Sequence, residues 1–516
     1  MKMRVLLEGI GAALLLLFSD YLPFFNPTNH DLFHHGLPVT NLIGGLLFDL
    51  LGVSILMTGM LVAAGYLPPI LQRLFNAMFA GLILWRIVNV AILVLFRLLF
   101  PVARLEHLWE NLLLASILLP NALAFALPRC THLAARATRL TLAASALSAC
   151  WIVPQLLYLA LIRPPVQNAV AAHLPAPAQS NSSQRIIWIL FDELSYKQVF
   201  EAPPAGLTLP NLHQLRQNSF SFSNLRPVGF RTDRIIPSLI LGRRFDKFRS
   251  SVNGELSYWD ESQNRWTEYD INETLFALAH SNGWAAGVDG WFNPYCPIFA
   301  PLLNACYWSP DVFPLEEFGA SEDNSALVNA AAAPKQLWAT VTNRNATDEE
   351  MHLMRFRNIM AHSGALIENS RLRFIFLHLP VPHPPGIYDR QRRVLRPGGS
   401  YIDNLALADE TLGTLLREID ATPSASQTTV IVTSDHSWRI SLYRDAEDWS
   451  AEEESASGGV FDDRPVLLIH FPGQQSGHDV PAAISEMIEH DVIVEMLRGK
   501  IDNQQDLAAF VAQQGH

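Results

Sequence analysis

The sequence predicts a chain of two parts, a five-helix transmembrane domain followed by an α/β domain with a mixed, mostly parallel central sheet. Two observations predict this division. The first ~165 residues contain apolar runs of about 20 residues, which is the length of a helix that crosses a bilayer. In the remainder, short apolar strands alternate with helical patterns, which is typical of βαβ units. The predicted parts are residues 1–165 (transmembrane), 166–183 (a linker rich in Pro, Ala and Ser) and 184–516 (α/β).

The composition excludes some functions. The chain has 516 residues and a net charge of -12, whereas a nucleic-acid-binding protein needs a basic surface. Its four cysteines are too few for a disulfide framework. Cys296 and Cys306 lie close together in the α/β part, and we expect them to be bridged if that part is outside the cytoplasm.

Five apolar runs are predicted to be transmembrane helices. They lie at Val5–Phe25, Leu42–Tyr66, Phe75–Phe100, Leu108–Leu127 and Leu140–Ile162. The first run is long and no small-residue cleavage site follows it, which favours a retained span over a signal peptide. Lys and Arg are more frequent in the loops on the side of the N-terminus, so the positive-inside rule puts the N-terminus in the cytoplasm. An odd number of spans then puts the α/β domain outside.

The first strand of the α/β domain ends in two carboxylates. Ile186–Phe191 is an unbroken apolar run, typical of a fully buried strand, and Asp192 and Glu193 follow it. Ligands gather at the carboxyl ends of strands in open α/β sheets, so these acids are candidates for a site. The alternative is that they only stabilise the start of the next helix. Further predicted elements are the strands Ala285–Val288, Phe374–Leu379, Thr429–Thr433 and Val466–Phe471 and the amphipathic helix Asn404–Ile419.

A second strand ends in an Asp-His pair. Asp435 and His436 follow Thr429–Thr433, and a carboxylate oxygen with an imidazole nitrogen suits one cation. Most single Asp-His pairs are solvated turns. The second acidic strand end favours convergence of Asp192, Asp435 and His436 on one metal ion.

Three further polar residues are candidates for catalysis. Thr232 precedes an apolar segment, as if at the start of a helix whose N-terminus favours an anion. A threonine hydroxyl is a weak nucleophile until a metal or a base lowers its pKa, and the alternative is that Thr232 is a helix N-cap. His378 and His383 lie at the end of a strand and in the Pro-rich loop after it, where an imidazole can donate a proton to a substrate oxygen.

Together these motifs resemble the sulfatase-like branch of the alkaline phosphatase superfamily. Their order is an acidic strand end, Thr232 in a Thr-x4-Pro-Ser-Leu-x2-Gly setting, a Leu-His-x4-His-Pro loop, and Ser434-Asp435-His436. The resemblance covers most of Ile186 to Phe471. With the N-terminal spans, the architecture is similar to lipoteichoic acid synthases and lipid A phosphoethanolamine transferases, whose catalytic domains lie outside the membrane.

The resemblance implies the roles of the site residues. It implies Asp192, Thr232, Asp435 and His436 as metal ligands, Glu193 as a further acidic ligand, Thr232 as the nucleophile, and His383 and His378 as contacts to the transferred phosphate, with His383 also catalytic. The implied cofactor is a divalent metal ion, with zinc or manganese favoured and magnesium an alternative.

The implied function is that of a metal-dependent transferase. It would move a phosphoethanolamine or phosphoglycerol headgroup from a membrane phospholipid donor to a cell-envelope glycan or lipid acceptor, through a phospho-threonine intermediate. The implied location is a bacterial inner membrane, with the catalytic domain on the periplasmic side. The alternatives are a membrane-tethered phosphodiesterase that uses water, and a non-catalytic scaffold that keeps the fold.

The sequence departs from the family at three places. The Cys/Ser-x-Pro-x-Arg motif of formylglycine sulfatases is missing at Thr232, which argues against sulfate-ester hydrolysis by that route. Ser437 replaces the glycine usual after Asp-His. Arg464 stands where two-metal relatives often have a histidine, which implies a single-metal site or a second site without that ligand.

Overall fold

The structure, a computed structural model, describes residues 2–22, 28–29, 40–99, 128–161, 184–251, 256–310, 324–342, 348–446, 449–458 and 461–514. The predicted span Leu108–Leu127 and the predicted linker 166–183 lie outside the described residues. The chain divides into two compact units. The first contains Met1–Pro27, Pro38–Val166 and Val312–Asn345, and the second contains Thr28–Leu37, Gln167–Asp311 and Ala346–His516.

The first unit is helical. Its helices are Lys2–Leu16, Phe18–Tyr21, Thr40–Ala64, Pro69–Leu99, Pro128–Leu147, Ala149–Leu161, Ala326–Asn329 and Ala332–Thr342. Among the described residues, three stretches are long and apolar enough to cross a membrane: Ile43–Ala64, Pro69–Val88 and His132–Tyr158. These correspond to the second, third and fifth predicted spans, so the length and composition of three of the five spans are confirmed.

The first predicted span, Val5–Phe25, is not confirmed. Its helix ends at Leu16, after 15 residues, and a separate short helix covers Phe18–Tyr21. The Tyr21 hydroxyl donates to the Leu14 carbonyl oxygen at 2.8 Å, which satisfies a carbonyl at the helix end. At 1.5 Å per residue, the first helix is shorter than the hydrocarbon core of a typical bilayer. Hydropathy predicted the apolar composition of this segment but not the end of its helix.

The second unit is an α/β domain with many short strands. Its strands are β1 (Thr28–Asn29), β2 (Arg185–Phe191), β3 (Phe220–Phe222), β4 (Leu225–Arg226), β5 (Phe248–Ser251), β6 (Leu256–Asp260), β7 (Arg265–Glu268), β8 (Ala286–Phe292), β9 (Ala305–Pro310), β10 (Phe374–Leu379), β11 (Tyr388–Asp389), β12 (Val394–Leu395), β13 (Thr428–Thr433), β14 (Leu467–His470), β15 (His478–Val480) and β16 (Ile484–Ser485).

Helices connect these strands and cover the central sheet. The helices of the second unit are Pro210–Gln217, Thr232–Leu241, Leu275–Ser281, Tyr295–Phe299, Asp348–Glu368, Tyr401–Asp420, Ile440–Tyr443, Ala451–Ser457, Ile488–Leu497 and Gln504–Gln514. Single 3₁₀ turns lie at Ile271–Glu273, Ala300–Leu302 and Ala425–Gln427, and a π-helical turn lies at Lys197–Glu201.

The central sheet has eight strands in the order β15-β3-β14-β13-β2-β10-β8-β9. The pairs β15–β3, β13–β2, β2–β10, β10–β8 and β8–β9 are parallel, whereas β3–β14 and β14–β13 are antiparallel. The prediction of a mixed, mostly parallel sheet is therefore confirmed. The small sheet β1-β5-β6-β7 is antiparallel throughout.

Strand β2 lies in the middle of the sheet and has one core on each side. Ile186 and Trp188 belong to one apolar cluster, whereas Ile187 and Ile189 belong to the other. Burial on both faces explains why this strand is apolar at every position from Ile186 to Phe191 rather than at alternate ones. Each of these large side chains stabilises the fold by about 1.5–3 kcal/mol through its burial.

The predicted strands of the α/β domain lie where the sequence indicates. Phe374–Leu379 coincides with β10, and the other four predicted strands overlap β2, β8, β13 and β14. The predicted helix Asn404–Ile419 extends to Tyr401–Asp420 because Ser400 and Asp403 form a capping box at its start. Cys296 and Cys306 form the expected disulfide, with a Cα–Cα distance of 5.6 Å.

Candidate active site

The two acidic strand ends lie side by side. Strands β2 and β13 are parallel neighbours, and Leu190 is paired with Thr433 in their register. Asp192 follows the end of β2 by one residue, and Asp435 and His436 follow the end of β13 by two and three residues. Parallel neighbours therefore bring these side chains to the same edge of the sheet, where ligands bind in open α/β sheets.

The turn after β2 is fixed by hydrogen bonds from other elements. Glu193 has a left-handed backbone (φ 67°), which is uncommon for a residue other than glycine. The Tyr401 hydroxyl donates to its carbonyl oxygen at 2.8 Å, and the next amide, Leu194 N, donates to Ser434 Oγ at 2.8 Å. Backbone strain of this kind persists where surrounding contacts determine it, and it is frequent at functional sites.

Thr232 begins a helix, and its hydroxyl faces the two strand ends. The helix Thr232–Leu241 has Arg231 at its N-cap position and no capping side-chain hydrogen bond, so Thr232 does not act as the cap. Thr232 Oγ1 lies 3.2 Å from His436 Nε2 and 3.5 Å from Asp192 Oδ2. The hydroxyl is thus buried at the helix start, next to the candidate metal ligands.

Asp192, Asp435 and His436 form a cluster that can hold a metal ion. One ligand atom from each residue lies within 4.8 Å of the other two, and all three side chains are buried. His436 Nδ1 lies 3.1 Å from the Ser437 carbonyl oxygen, which can only accept, so Nδ1 carries the proton. The lone pair of His436 Nε2 is therefore available, and it lies 3.2 Å from Asp435 Oδ2 and 3.7 Å from Asp192 Oδ1.

Two carboxylate oxygens of this cluster lack a partner. Among the residues that the structure describes, Asp192 Oδ1 and Asp435 Oδ2 are buried and accept no hydrogen bond. A buried polar atom without a partner is costly, and each such atom in a native structure requires an explanation. Two oxygens and one imidazole nitrogen, with the Thr232 hydroxyl beside them, suit a divalent cation in chemistry and in position.

The pKa shifts of the cluster residues indicate how a bound cation would change the electrostatics of the site. Burial and the neighbouring Asp435 raise the pKa of the Asp192 carboxyl well above its usual range, and burial likewise raises the pKa of Asp435. Burial, together with the nearby Arg439 guanidinium, lowers the pKa of His436 to about 3. Two adjacent buried carboxylates repel each other, and a bound cation removes that repulsion. The donor set therefore fits a divalent metal.

A comparison with protein-family models identifies the family of the chain. The model described as Sulfatase matches residues 184–494, which is more than half of the chain. The chain belongs to the Sulfatase family. As a sulfatase-like protein it is a member of a superfamily of metal-using enzymes, and the resemblance predicted from its motifs is confirmed. No curated protein matches the chain closely enough to count as a relative.

Three solved structures illustrate the fold similarity of this sulfatase-like chain. The lipoteichoic acid synthase LtaP from Listeria monocytogenes has 11% identity and a TM-score of 0.38, over 64% of this chain and 76% of that chain. The phosphonate monoester hydrolase of Agrobacterium radiobacter has 14% identity and a TM-score of 0.35, over 61% and 74%. A Bacteroides thetaiotaomicron protein, from work on the metabolism of multiple glycosaminoglycans, has 13% identity and a TM-score of 0.41, over 62% and 78%.

Glu193 is not part of the metal-ligand cluster of this sulfatase-like domain. Its carboxylate oxygen Oε1 forms an ion pair with Arg439 Nε and accepts from the Tyr443 hydroxyl at 3.3 Å. Oε1 lies 3.9 Å from His436 Nδ1, and the Glu193 backbone N donates to Asp435 Oδ1 at 3.3 Å. The second oxygen, Oε2, is buried without a hydrogen-bond partner among the described residues. The predicted role of Glu193 as a ligand therefore stays a prediction, and its observed partner is a guanidinium.

His378 lies in the interior of the α/β domain, next to Asp192 of the cluster. It is fully buried on β10, and its Nε2 lies 3.1 Å from Trp291 Nε1 and 3.5 Å from Asp192 Oδ2. Its Nδ1 lies 2.7 Å from the Tyr295 hydroxyl. Burial lowers the pKa of His378 to about 4. Since Trp291 Nε1 donates to Nε2, the ring proton lies on Nδ1, and the predicted contact of His378 to the transferred phosphate stays a prediction.

Both ring nitrogens of His383 have partners. Nδ1 pairs with the Pro384 carbonyl oxygen, so it carries the proton, and Nε2 accepts from Arg439 Nη2 at 3.1 Å. Burial, followed by the charge of Arg439, holds the pKa of His383 well below its usual range. A neutral imidazole with this tautomer has no proton to donate from Nε2. The predicted catalytic role of His383 therefore stays a prediction, and in this tautomer its proton lies on Nδ1.

Two residues of the site were not predicted from the sequence. Arg439 and Tyr443 lie just after the Asp-His pair, and their side chains contact both Glu193 and His383. No motif indicated them. The one available signal was a basic residue three positions after His436.

Proposed function

We propose that the chain is a membrane-anchored, metal-dependent phosphotransferase that uses Thr232 as its nucleophile. It would move a phosphoethanolamine or phosphoglycerol headgroup from a phospholipid donor to a glycan or lipid acceptor of the cell envelope. The observation that carries this proposal is the position of Thr232 Oγ1, within 3.5 Å of both His436 Nε2 and Asp192 Oδ2. A hydroxyl among metal-ligating atoms is the arrangement that makes threonine a nucleophile.

The start of the Thr232 helix supports binding of a phosphate. This ten-residue helix has no side-chain cap, and the N–H groups of Thr232 and Asp233 precede the first backbone bond at its start, which Arg234 N makes to the Arg231 carbonyl oxygen. The helix dipole adds a partial positive charge at the same point. A phosphate oxygen is a suitable partner for these groups.

The candidate ligands Asp192, Asp435 and His436, with Thr232, would hold one divalent cation. When bound, such an ion lowers the pKa of a coordinated hydroxyl and neutralises charge on phosphate oxygens. Asp435 is held for this task, since its Oδ1 accepts from His436 N at 2.9 Å and leaves Oδ2 toward the cluster.

The proposed reaction has two steps. In the first, Thr232 Oγ attacks the donor phosphorus, a new Oγ–P bond forms, and the bond between phosphorus and the glycerol oxygen of diacylglycerol breaks. Thr232 loses its hydroxyl proton and the diacylglycerol oxygen gains one, so the protons balance through solvent. In the second, the acceptor hydroxyl attacks the same phosphorus, the Oγ–P bond breaks, and Thr232 regains a proton.

Two features of the chain support the proposed location. The three apolar helical stretches support a membrane anchor, and an anchor concentrates the catalytic domain near lipid donors. The Cys296–Cys306 disulfide supports an oxidising, extracytoplasmic compartment for the α/β domain. Both features agree with a periplasmic catalytic domain at a bacterial inner membrane.

Replacement of the nucleophile tests the proposal. In liposomes with a headgroup-labelled phospholipid, we expect Thr232→Ala to reduce diacylglycerol release by roughly 10³-fold or more, the scale on which loss of a catalytic nucleophile acts. Thr232→Ser keeps a hydroxyl and should retain part of the activity. Label transfer that depends on an added acceptor identifies a transferase, whereas acceptor-independent release identifies a hydrolase. Full activity of Thr232→Ala would rule out the proposal.

A further inference from the structure

Arg439 is a charged residue of the candidate site that the mechanism above leaves without a role. Its side chain is 11% exposed and forms an ion pair with the fully buried Glu193. Its Nη2 donates to His383 Nε2 at 3.1 Å and to the Tyr443 hydroxyl at 3.3 Å. Three partners thus fix the plane of the guanidinium.

The Nη1 group of the guanidinium has no hydrogen-bond partner among the described residues. Nε and Nη2 make the hydrogen bonds named above, whereas Nη1 makes none with any residue that the structure describes. Since Glu193 is fully buried and Arg439 is not, the cation rather than the carboxylate is accessible to solvent. A ligand that approaches this pair therefore meets N–H donors and a positive charge first.

Neighbouring residues connect the guanidinium to the nucleophile. The guanidinium carbon of Arg439 is 6.0 Å from the centre of the Phe230 ring, and Phe230 precedes Thr232 by two residues. Glu193, the ion-pair partner of Arg439, directly follows Asp192, whose carboxylate faces the Thr232 hydroxyl. Two series of neighbours, one through Phe230 and one through Glu193 and Asp192, thus connect Arg439 to Thr232.

Phosphoryl transfer needs positive charge around the phosphate. Negative charge is spread over the non-bridging oxygens in the transition state, and preorganised donors stabilise it. The described metal-ligating cluster is sufficient for one cation. His383 adds no charge, since its imidazole is neutral and accepts from Arg439. Arg439, by contrast, stays charged, because Glu193 and Tyr443 hold its pKa above the ordinary value although burial alone would lower it.

We propose that Arg439 Nη1 binds a non-bridging oxygen of the transferred phosphate, and that Glu193, His383 and Tyr443 position its guanidinium. Arg439 then supplies the second positive charge of a site that holds a single metal ion. This inference rests on the proposed phosphotransfer. Arginine suits this role because its planar fork of donors matches phosphate geometry, whereas lysine offers only a point charge. No covalent bond forms or breaks at Arg439.

The test measures anion binding apart from turnover. Inorganic phosphate is titrated by calorimetry into the metal-loaded, full-length protein in detergent, for the wild type, Arg439→Lys and Arg439→Ala. We expect the phosphate Kd to rise about 10-fold or more in Arg439→Ala, the scale of a charge-assisted hydrogen bond, and less in Arg439→Lys. The matched control is Arg444→Ala, which removes an exposed arginine ion-paired with Glu454 and should leave the Kd within about 2-fold.

A second variant controls for loss of folding in Arg439→Ala. Arg439→Ala leaves Glu193 as a buried, unpaired carboxylate, which is strongly destabilising. The double variant Glu193→Gln with Arg439→Ala removes both charges, and its folding and metal content are measured alongside. A folded, metal-bound double variant that binds phosphate as tightly as the wild type would overturn the role of Arg439.

Failure of this inference can be distinguished from failure of the proposed function. If phosphate binding depends on Arg439 but the wild type transfers no headgroup and forms no adduct on Thr232, the anion site stands and the transferase proposal falls. If the wild type transfers headgroup and Arg439→Ala lowers neither kcat nor phosphate affinity, the transferase proposal stands and the role of Arg439 falls.

Discussion

At the scale of single residues, the candidate site is defined by the atoms that hydrogen bonds leave unpaired. His436 Nδ1 pairs with the Ser437 carbonyl oxygen, which leaves Nε2 for a ligand. Asp435 Oδ1 pairs with a backbone amide, which leaves Oδ2. Asp192 Oδ1 is unpaired as well. Each residue thus presents one atom to a common point, which is the condition for coordination of a single ion.

Removal of one of these atoms should remove the metal. We expect Asp435→Asn to lose stoichiometric divalent metal, as measured by elemental mass spectrometry of the purified protein, because an amide oxygen carries no charge to offset the cation. Asp389→Asn is the matched control, since Asp389 is paired with Arg392 and Arg396. Retention of one equivalent of tightly bound metal in Asp435→Asn would contradict the predicted ligand set.

The sequence could predict which residues end the strands but not the state of each side chain. Asp192, Asp435 and His436 were predictable because parallel strands that lie side by side present their ends at one edge. The protonation of His383 was not, because it depends on a contact with Arg439, which is 56 positions away in sequence. The ion-pair partner of Glu193 could not be predicted for the same reason, because Arg439 follows it by 246 positions.

At the scale of elements, the apolar pattern predicted the strands that are buried on both faces. Strands β2, β10 and β13 are buried at every position, and their sequences are nearly continuous apolar or β-branched runs. The strands of two or three residues, such as β11 and β12, carry too few residues to show a period, and none was predicted. In the first predicted span, by contrast, the apolar run continues beyond Leu16, where the helix ends.

The helix Ile488–Leu497 carries a buried acid that makes stability depend on pH. Glu489 accepts from Trp188 Nε1 at 2.5 Å and from the Thr433 hydroxyl at 2.8 Å, and burial raises its pKa to about 8. A group whose folded-state pKa is raised binds a proton more tightly when folded. Its contribution to stability is therefore complete below the unfolded-state pKa and is lost as pH rises through about 8.

Glu489→Gln should remove this dependence. Between the ordinary glutamate pKa and about 8, the wild type should lose at most about 1.4 kcal/mol of unfolding free energy per pH unit relative to Glu489→Gln. The measurement is the thermal unfolding midpoint of both proteins at a series of pH values from 5 to 9. Parallel curves would show that Glu489 does not titrate in this range.

At the scale of the whole molecule, the family match and the two apolar cores lie in the α/β part of the chain. The Sulfatase match begins at residue 184, and both clusters draw on residues from Ile186 onward. The α/β class and the sheet type followed from the alternation of strands and helices. Of the five predicted spans, three have counterparts of sufficient length and composition among the described residues, and the number of spans stays a prediction.

A fragment of residues 184–516 should keep the site and lose access to lipid. We expect it to bind metal and to cleave a water-soluble phosphodiester at a rate within about 10-fold of the full chain. Its rate on phospholipid in liposomes should fall much further, because the anchor raises the effective concentration of donor. The fragment lacks β1, which pairs with β5 at the edge of the small sheet, and it keeps Val312–Asn345 without the rest of the first unit, so its folding is measured alongside. Equal losses on both substrates would contradict this division of roles.

The most direct test of the account is the mass of the peptide that contains Thr232, from protein purified out of its native membrane and trapped without acceptor. The account predicts a phosphoethanolamine or phosphoglycerol adduct on Thr232 in the wild type and none in Thr232→Ala. Such an adduct would identify the nucleophile, the reaction and the donor headgroup together. Turnover of phospholipid by a metal-bound wild type whose Thr232 is unmodified under every trapping condition would contradict the covalent mechanism.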